Sequence, residues 1–224
     1  MVSGYFFTFE GGEGAGKSTQ IRIVGDFLKT QGYEVVVTRE PGGTAGSEAI
    51  RYVLLSGNAQ RAGRRFEAAL FAAARIDHIN EIIAPALKQG KIVLCDRFID
   101  STRVYQGDGK EGERNYLTIL EKLATIGHTP DITFILDLPA KVGMARANKR
   151  RTNQITVDRF EKDDLSIQEA RRQSFLEIAR AEPKRCQIID ASRNIDEIAE
   201  DIENITLRFL NGKKDAGTGN AKTV

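Results

Sequence analysis

Residues 11–18 of this chain of 224 residues read Gly-Gly-Glu-Gly-Ala-Gly-Lys-Ser and fit the phosphate-loop pattern G-x-x-x-x-G-K-S/T without a mismatch. In this pattern the glycines let backbone N–H groups turn towards phosphate oxygens, Lys17 supplies positive charge, and the hydroxyl of Ser18 can bind Mg²⁺. A β-rich run at 5–9 precedes the loop and helical spacing over 18–30 follows it, as the pattern requires. The sequence therefore predicts a nucleoside-triphosphate site that comprises Gly11, Gly12, Glu13, Gly14, Ala15, Gly16, Lys17, Ser18 and Thr19.

Short apolar runs alternate with longer helical segments along the chain. Strands are predicted at 5–9, 34–38, 91–96, 132–138 and 187–190. Helices are predicted at 18–30, 45–55, 65–88, 113–126, 140–150, 160–180 and 194–210. Because the strands are apolar on both faces and separated by helices, right-handed crossovers would bury a parallel sheet between two helical layers. The sequence predicts a three-layer α/β fold with a five-stranded parallel sheet and its ligands at the carboxyl ends of the strands.

The composition is that of one globular domain, with 41% hydrophobic and 29% charged residues. We expect a single domain over residues 1–211 and a disordered tail over 212–224, where Gly, Lys and Thr replace most apolar residues. The net charge of +2 gives no reason to expect a nucleic-acid or an acidic-membrane partner.

The sequence patterns favour a protein that is neither exported nor inserted into a membrane. No apolar stretch approaches the roughly 18 residues that span a membrane, and no signal-peptide pattern opens the chain, so the cytoplasm is the expected location. Cys95 and Cys186 each adjoin an apolar run and lack C-x-x-C spacing, which favours core positions. His78 and His128 have no partner at metal-ligand spacing, which favours structural or surface roles.

Two carboxylates stand near the phosphate loop in the predicted topology. Asp96 ends the third predicted strand, where it can hold the Mg²⁺ shell opposite Ser18; the alternative is an aspartate that caps the following turn. Glu13 places a negative charge inside a loop built for anions. It either contacts a hydroxyl of a second substrate or Mg²⁺-bound water, or it is a solvent-facing acid.

Residues beyond the phosphate loop narrow the class of protein. A GTPase would carry an N-K-x-D guanine reader, but Asn148-Lys149 is followed by two arginines. Four segments occur in the order found in thymidylate kinases of the bacterial type, and the chain resembles this family from about residue 5 to residue 210. These segments are residues 9–19, residues 39–44, the helix from Phe71 to Arg75, and residues 96–102.

The resemblance implies a P-loop kinase fold with a small lid and transfer of the γ-phosphoryl of ATP to dTMP, which gives dTDP for dTTP synthesis. It also implies Mg²⁺ as the cofactor that accompanies ATP. A homodimer is implied as well, through apolar helix faces such as the one around residues 66–88. Two other functions stay open at this point: a kinase for another nucleoside monophosphate, and an ATP-driven switch.

The resemblance also implies which residues hold the acceptor nucleotide. Phe71 would stack on thymine and Arg75 would reach its hydrogen-bonding edge, although Phe71 lies in an apolar helix and core packing explains it as well. The arginines implied around the acceptor are Arg39, Arg51 and Arg97, with Arg97 best placed for its phosphate. For Arg39 and Glu40, a buried ion pair that supports their loop is an equal explanation. The segment implied to close over base and sugar contains Ser101, Thr102, Tyr105 and Gln106; Tyr105 would exclude a ribose 2′-hydroxyl or simply pack.

A lid over residues 146–158 would complete the site. Its basic run comprises Arg146, Lys149, Arg150 and Arg151, and position 15 is Ala rather than a basic residue. This resembles the family subtype that takes its catalytic arginine from the lid, and either Arg150 or Arg151 fits that role. The alternative for any of them is a solvated basic helix end. The predicted catalytic residues are Lys17, Arg97, Arg150 and Arg151.

Overall fold

The computed structural model describes residues 4–107, 111–151 and 163–219. In these ranges the strands form one parallel sheet in the order β2-β3-β1-β4-β5. The strands are β1 (Tyr5–Glu10), β2 (Val35–Arg39), β3 (Ile92–Asp96), β4 (Ile132–Asp137) and β5 (Cys186–Asp190). The predicted five-stranded parallel sheet is therefore confirmed, and no strand boundary differs from its prediction by more than one residue.

Helices cover both faces of the sheet. They are α1 (Lys17–Thr30), α2 (Ala45–Leu55), α3 (Arg64–His78), α4 (Ala84–Lys88), α5 (Ile99–Gln106), α6 (Glu111–Thr125), α7 (Ala140–Arg151), α8 (Leu165–Ala181) and α9 (Ile195–Gly219). A short 3₁₀ helix, Asn58–Ala62, links α2 to α3. Together with the sheet they give the three-layer α/β fold that the sequence predicts.

Three helices differ from their predictions. The segment predicted as one helix over 65–88 is divided by a π-helical turn, Ile79–Ile83, because Pro85 has no N–H to donate to the carbonyl of Glu81. Helix α8 begins at Leu165 rather than at 160, and residues 152–162 lie outside the described ranges. Helix α9 continues to Gly219 and so covers part of the segment predicted as a disordered tail; residues 220–224 are not among those described.

Alternation along β1 divides the core between the two faces of the sheet. Phe7 and Phe9 are fully buried and pack with residues of α1 and α9, whereas Phe6 packs on the other face against Ile79 and Phe98. Burial on both faces is the physical reason that the strands read as continuous apolar runs. Cys95 and Cys186 are free and buried, as predicted.

The register of the sheet brings two loops together at one edge. Strand β1 is central and pairs with β3 so that Phe9 lies opposite Asp96, and the phosphate loop therefore emerges beside the segment that follows β3. Arg97, the first residue of that segment, has φ 69°, a left-handed conformation that costs a non-glycine residue about 1–2 kcal/mol. Its N–H donates to the carbonyl of Phe9 at 3.0 Å, which holds the turn in place.

The first turn of α5 is capped from the centre of the sheet. The buried carboxylate of Glu10 accepts hydrogen bonds from the N–H groups of Phe98 (2.7 Å) and Ser101 (3.2 Å) and from the hydroxyl of Ser101 (2.6 Å). These bonds satisfy backbone donors that a helix start leaves without partners. Strand β1 therefore fixes both the phosphate loop that follows it and the start of helix α5.

The capping carboxylate titrates far from its usual range. Burial, followed by the negative charge of Asp100, raises the pKa of Glu10 from 4.5 to about 7. A carboxyl whose pKa is raised on folding stabilises the fold fully below its unfolded pKa, and this contribution is lost as the pH rises through its folded pKa.

We predict that Glu10→Gln makes the stability of the protein less dependent on pH between 4.5 and about 7. The wild type should lose stability relative to the variant as the pH rises across this window, because only the wild type must release a buried proton. Urea unfolding at a series of pH values checks this. Glu34→Gln, at a side chain that is 77% exposed, serves as the control and should follow the wild type. Parallel curves for the wild type and Glu10→Gln would contradict the prediction.

Candidate active site

A cavity of about 470 Å³ lies at the carboxyl ends of β1 and β3. Phosphate-loop residues line one side of it and arginines line the other. Every residue that the sequence predicts for the acceptor nucleotide lies on its wall, namely Glu13, Arg39, Glu40, Arg51, Phe71, Arg75, Arg97, Ser101, Thr102, Tyr105 and Gln106. Gly14, Ala15, Gly16, Lys17, Ser18, Thr19 and Asp96 share the same wall. The fold thus brings the predicted acceptor residues and the predicted donor residues from Glu13 to Thr19 to a single cavity, whereas Gly11 and Gly12 are not on its wall.

The phosphate loop wraps around the side chain of Lys17, the first residue of α1. Its Nζ donates to the carbonyls of two predicted loop residues, Gly11 (3.1 Å) and Gly12 (2.9 Å). Lys17 is only 8% exposed. Burial, and after it the positive charge of Arg97, holds its pKa below the usual range for lysine. A lysine in this environment gains from contact with an anionic ligand.

The predicted metal ligands, Ser18 and Asp96, lie in direct contact. The hydroxyl of Ser18 donates to the carboxylate of Asp96 at 2.6 Å. Both groups present oxygen atoms, which Mg²⁺ prefers, and this ion commonly takes one or two protein ligands and completes its shell with water and substrate phosphates. The donor set therefore fits Mg²⁺.

An ion pair bridges the phosphate loop and the acceptor side of the cavity. Arg97 Nη2 donates to Glu13 Oε1 at 2.6 Å, and the hydroxyl of Tyr105 donates to the same oxygen at 3.1 Å. The side chain of Glu13 is only 14% exposed, which argues against a solvent-facing acid. Arg97 thus compensates the carboxylate that the loop carries in an anion site.

The acceptor side is held by a buried charge network on α3. Arg75 Nε donates to Glu40 Oε2 at 2.7 Å, and His78 Nδ1 lies 3.0 Å from Glu40 Oε1. The three side chains are at most 4% exposed. Arg75 also donates to the hydroxyl of Thr102 at 3.1 Å. Glu40 therefore does form a buried ion pair, and its partner is Arg75.

Arg39 and Arg51 serve the loop that follows β2 in different ways. Arg39 is 55% exposed on its side chain and pairs with Glu48, so the buried ion pair considered for Arg39 is not present. Arg51 Nη1 donates to the carbonyl of Pro41 at 2.8 Å. Both arginines line the cavity.

Gln106, at the end of α5, is the most unusual polar residue of the wall. It is 2% exposed, and within the described part of the chain neither its amide oxygen nor its amide nitrogen has a hydrogen-bond partner. A buried amide without partners costs about 1–3 kcal/mol. Such a cost is recovered when a ligand supplies both a donor and an acceptor.

Several residues that shape the site are not among those predicted from the sequence. Asp77 accepts from the hydroxyl of Thr44 and from the N–H of Ser47 (3.0 Å), which fixes the start of α2. Arg172 makes two bonds to Asp137, at 2.5 and 3.0 Å, and so joins α8 to the end of β4. Asp137 ends an apolar strand as Asp96 does, and this was a signal that the sequence offered. The contacts of Asp77 and Arg172 join distant elements and have no local pattern.

The phosphate loop and α7 meet at two glycines. A Cβ on Gly14 would lie 2.1 Å from the carbonyl oxygen of Gly143, and a Cβ on Gly143 would lie 2.2 Å from the carbonyl oxygen of Glu13. Glycine inside a helix costs about 1 kcal/mol relative to alanine, and this backbone contact is the physical reason for glycine at position 143. The helix therefore starts against the loop and leads away from it.

The predicted lid is only partly within the described chain. Arg146 Nη1 donates to the carbonyl of Ala191 at 3.4 Å, which places it beside the loop after β5. The backbones at positions 150 and 151 form the last turn of α7, and their side chains are outside the described part, as are residues 152–158.

A phosphate loop between the first strand and helix of a parallel sheet, facing a second wall of arginines, defines a phosphotransferase of the P-loop kinase class. A family model described as Thymidylate kinase matches residues 9–202. The chain belongs to the thymidylate kinase family.

Relatives with this name cover nearly the whole chain. Thymidylate kinase of Bartonella quintana is 58% identical over 204 residues, which are 91% of this chain and 95% of that protein. Thymidylate kinase of Bartonella henselae is 55% identical over 205 residues, with the same coverage. The crystal structure of thymidylate kinase from Ehrlichia chaffeensis superposes with a TM-score of 0.70 at 34% identity and covers 91% of this chain and 99% of that one. These likenesses confirm the resemblance that the four sequence segments indicate.

Among the described residues, none of the helices has the length and apolar character needed to cross a bilayer.

We predict that Gly143→Ala lowers kcat/KM for ATP by about 10- to 100-fold, because the new methyl group must displace either the phosphate loop or α7. Steady-state kinetics at a fixed acceptor concentration checks this. Gly112→Ala is the matched control, since α6 leaves open space around that glycine. Equal kinetics in both variants would show that the loop tolerates the displacement.

Proposed function

We propose that this chain transfers the γ-phosphoryl group of ATP to dTMP, which yields dTDP and ADP and serves dTTP synthesis. The observation that carries the proposal is the buried, unpartnered amide of Gln106 on the same cavity wall as Phe71 and Arg75, opposite a phosphate loop. The relatives described above bear the name thymidylate kinase, which agrees with this substrate.

The base is read by three side chains of the acceptor wall. Thymine presents an N–H donor between two carbonyl acceptors, so an amide that can both accept and donate matches its edge. Gln106 supplies that amide, and the guanidinium of Arg75, held by Glu40 and Thr102, donates to a carbonyl. The ring of Phe71 is half-buried and offers its face to a flat base.

Arginines bind the phosphate of the acceptor. Arg97 is fixed by Glu13 and by the hydroxyl of Ser101, at 3.1 Å, so its planar guanidinium is pre-organised for bidentate phosphate contacts. Arg51 and the exposed side of Arg39 add positive charge at the mouth of the cavity. In this proposal Glu13 and Tyr105 face the sugar between these phosphate contacts and the base, and Tyr105 excludes a ribose 2′-hydroxyl.

On the donor side the phosphate loop and Lys17 hold the triphosphate. Ser18 and Asp96 would hold Mg²⁺, which, when bound, neutralises charge on the phosphate oxygens. Release of Lys17 Nζ from the carbonyls of Gly11 and Gly12 frees it to contact those oxygens. Catalysis then consists of alignment and positive charge, and none of these residues acts as a general base.

The phase of α7 supports a choice between the two lid arginines. Gly143 marks the face of this helix that touches the phosphate loop. With 3.6 residues per turn, position 150 lies about 20° from position 143 around the helix axis, whereas position 151 lies about 80° away. We therefore assign the catalytic role to Arg150 and none to Arg151.

We predict that Arg150→Ala lowers kcat by about 10³-fold or more, because an arginine that stabilises charge on the transferring phosphoryl has an effect of that size. The neighbouring Arg151→Ala should keep most of the wild-type kcat. Single-turnover kinetics with saturating ATP separates this loss from weaker binding. A larger loss in Arg151→Ala than in Arg150→Ala would refute the helical-phase assignment.

Assembly and location complete the proposal. Tyr52 is 74% exposed and Phe66 47%, so α2 and the start of α3 offer the apolar surface of a homodimer. Ile79 and Ile83, in the later part of the segment expected for this contact, are buried in the chain's own core and so do not add to this surface. The free thiols of Cys95 and Cys186 suit a reducing compartment, which supports the cytoplasm.

The proposal is tested by ADP release from Mg²⁺–ATP with dTMP, dUMP, UMP, CMP, AMP or no acceptor. We predict turnover concentrated on dTMP and lost by about 10²-fold or more in Lys17→Met, which removes the charge at the phosphate loop. Turnover on a different acceptor would remove the base-reading roles of Phe71, Arg75 and Gln106. Equal ADP release without any acceptor would favour an ATP-driven switch.

A further inference from the structure

Two side chains of helix α8 contact the ring of Tyr105. The guanidinium carbon of Arg171 lies 4.4 Å from the centroid of the Tyr105 ring, within the range of a cation–π contact. Phe175, four residues further along α8, meets the same ring edge-on at a centroid distance of 6.5 Å. Residues four apart on a helix share a face, so one face of α8 contacts this tyrosine with a cation and an aromatic ring.

Arg171 is itself held by an ion pair. Its Nη2 donates to Asp163 Oδ2 at 2.6 Å, and the two side chains are 12% and 34% exposed. An arginine can present its edge to a carboxylate and its planar face to an aromatic ring at the same time. Asp163 lies two residues before α8 begins, so this short segment sets where the guanidinium rests against Tyr105.

Arg171 is not on the cavity wall, whereas Tyr105 is. Inside the cavity the hydroxyl of Tyr105 donates to Glu13, and the guanidinium carbon of Arg97 lies 5.2 Å from its ring. We therefore expect Arg171 to affect the acceptor through the position of the tyrosine ring.

We propose that Arg171 is a positioning residue that fixes the ring of Tyr105 and thereby sets the preference for deoxyribonucleotide over ribonucleotide acceptors. This inference rests on the proposed function, in which Tyr105 faces the sugar of dTMP. Because Arg171 is not on the cavity wall, we assign it no contact with the substrate and no part in phosphoryl transfer itself.

The test compares kcat/KM for dTMP with that for ribothymidine 5′-monophosphate in Arg171→Ala. The ratio of the two values should fall by about 3- to 30-fold, the size of a cation–π contact, while KM for ATP stays at the wild-type value. Arg171→Lys keeps the charge without the planar face and should retain part of the ratio. Arg180→Ala, at an exposed arginine on the same helix, is the matched control and should leave the ratio unchanged.

A merely structural role for Arg171 would slow both acceptors equally and leave the ratio as it is, which would overturn the inference. A second test combines Arg171→Ala with Tyr105→Leu, which removes the ring through which Arg171 acts. In that background the ratio should not fall further, and an additional fall would show that Arg171 acts by another route.

Failure of the proposed function and failure of the role of Arg171 give different results. A wild-type protein that does not phosphorylate dTMP refutes the proposed function. A wild-type protein that phosphorylates dTMP and ribothymidine 5′-monophosphate equally well removes the sugar-reading role of Tyr105, and with it the inference about Arg171.

Discussion

The ion pair between Glu13 and Arg97 holds the two sides of the cavity against each other. Glu13 belongs to the phosphate loop, and Arg97 follows the neighbouring strand β3. Without the arginine, a carboxylate with 14% exposure would oppose every phosphate that enters the loop. Without the carboxylate, the positive charges of Arg97 and Lys17 would repel each other, and only Asp96 and the buried Glu10 would remain to offset that repulsion. The site therefore depends on opposite charges contributed by adjacent strands.

Opposite charges also organise the acceptor wall, where the charged side chains are more deeply buried. Glu40 is shared between Arg75 and His78, and these three side chains are almost completely buried. A buried ion pair of this kind adds little net stability, because desolvation offsets the attraction, but it fixes geometry. Here it fixes the direction of Arg75. The side chain of Gln106, on the same wall, has no hydrogen-bond partner among the described residues.

Much of the fold was predictable because its signals are local. Apolar runs gave the strands, and the phosphate-loop pattern placed the first loop and helix. Helix α5 could not be predicted in this way, because its cap is Glu10, which lies 88 residues before Phe98 in the chain. The π-helical turn before Pro85 was hidden within a continuous helical pattern. In the site, residue types and family motifs were enough to predict which residues line the cavity. Asp77, Gly143 and Arg171 act through contacts between elements that are distant in the sequence, and such contacts leave no pattern of residue spacing.

The contact between Gly14 and Gly143 limits how sequences of this kind can change. In most packed pairs, a larger side chain on one member is accommodated when the other becomes smaller. Here both residues are already the smallest possible, and each Cβ would meet a backbone carbonyl of the opposing segment rather than a side chain. No second substitution can make room for the first. A substitution at either of these two distant positions therefore cannot be compensated by a substitution at the other. Other positions of the phosphate loop and of α7 can change in evolution while these two remain glycine.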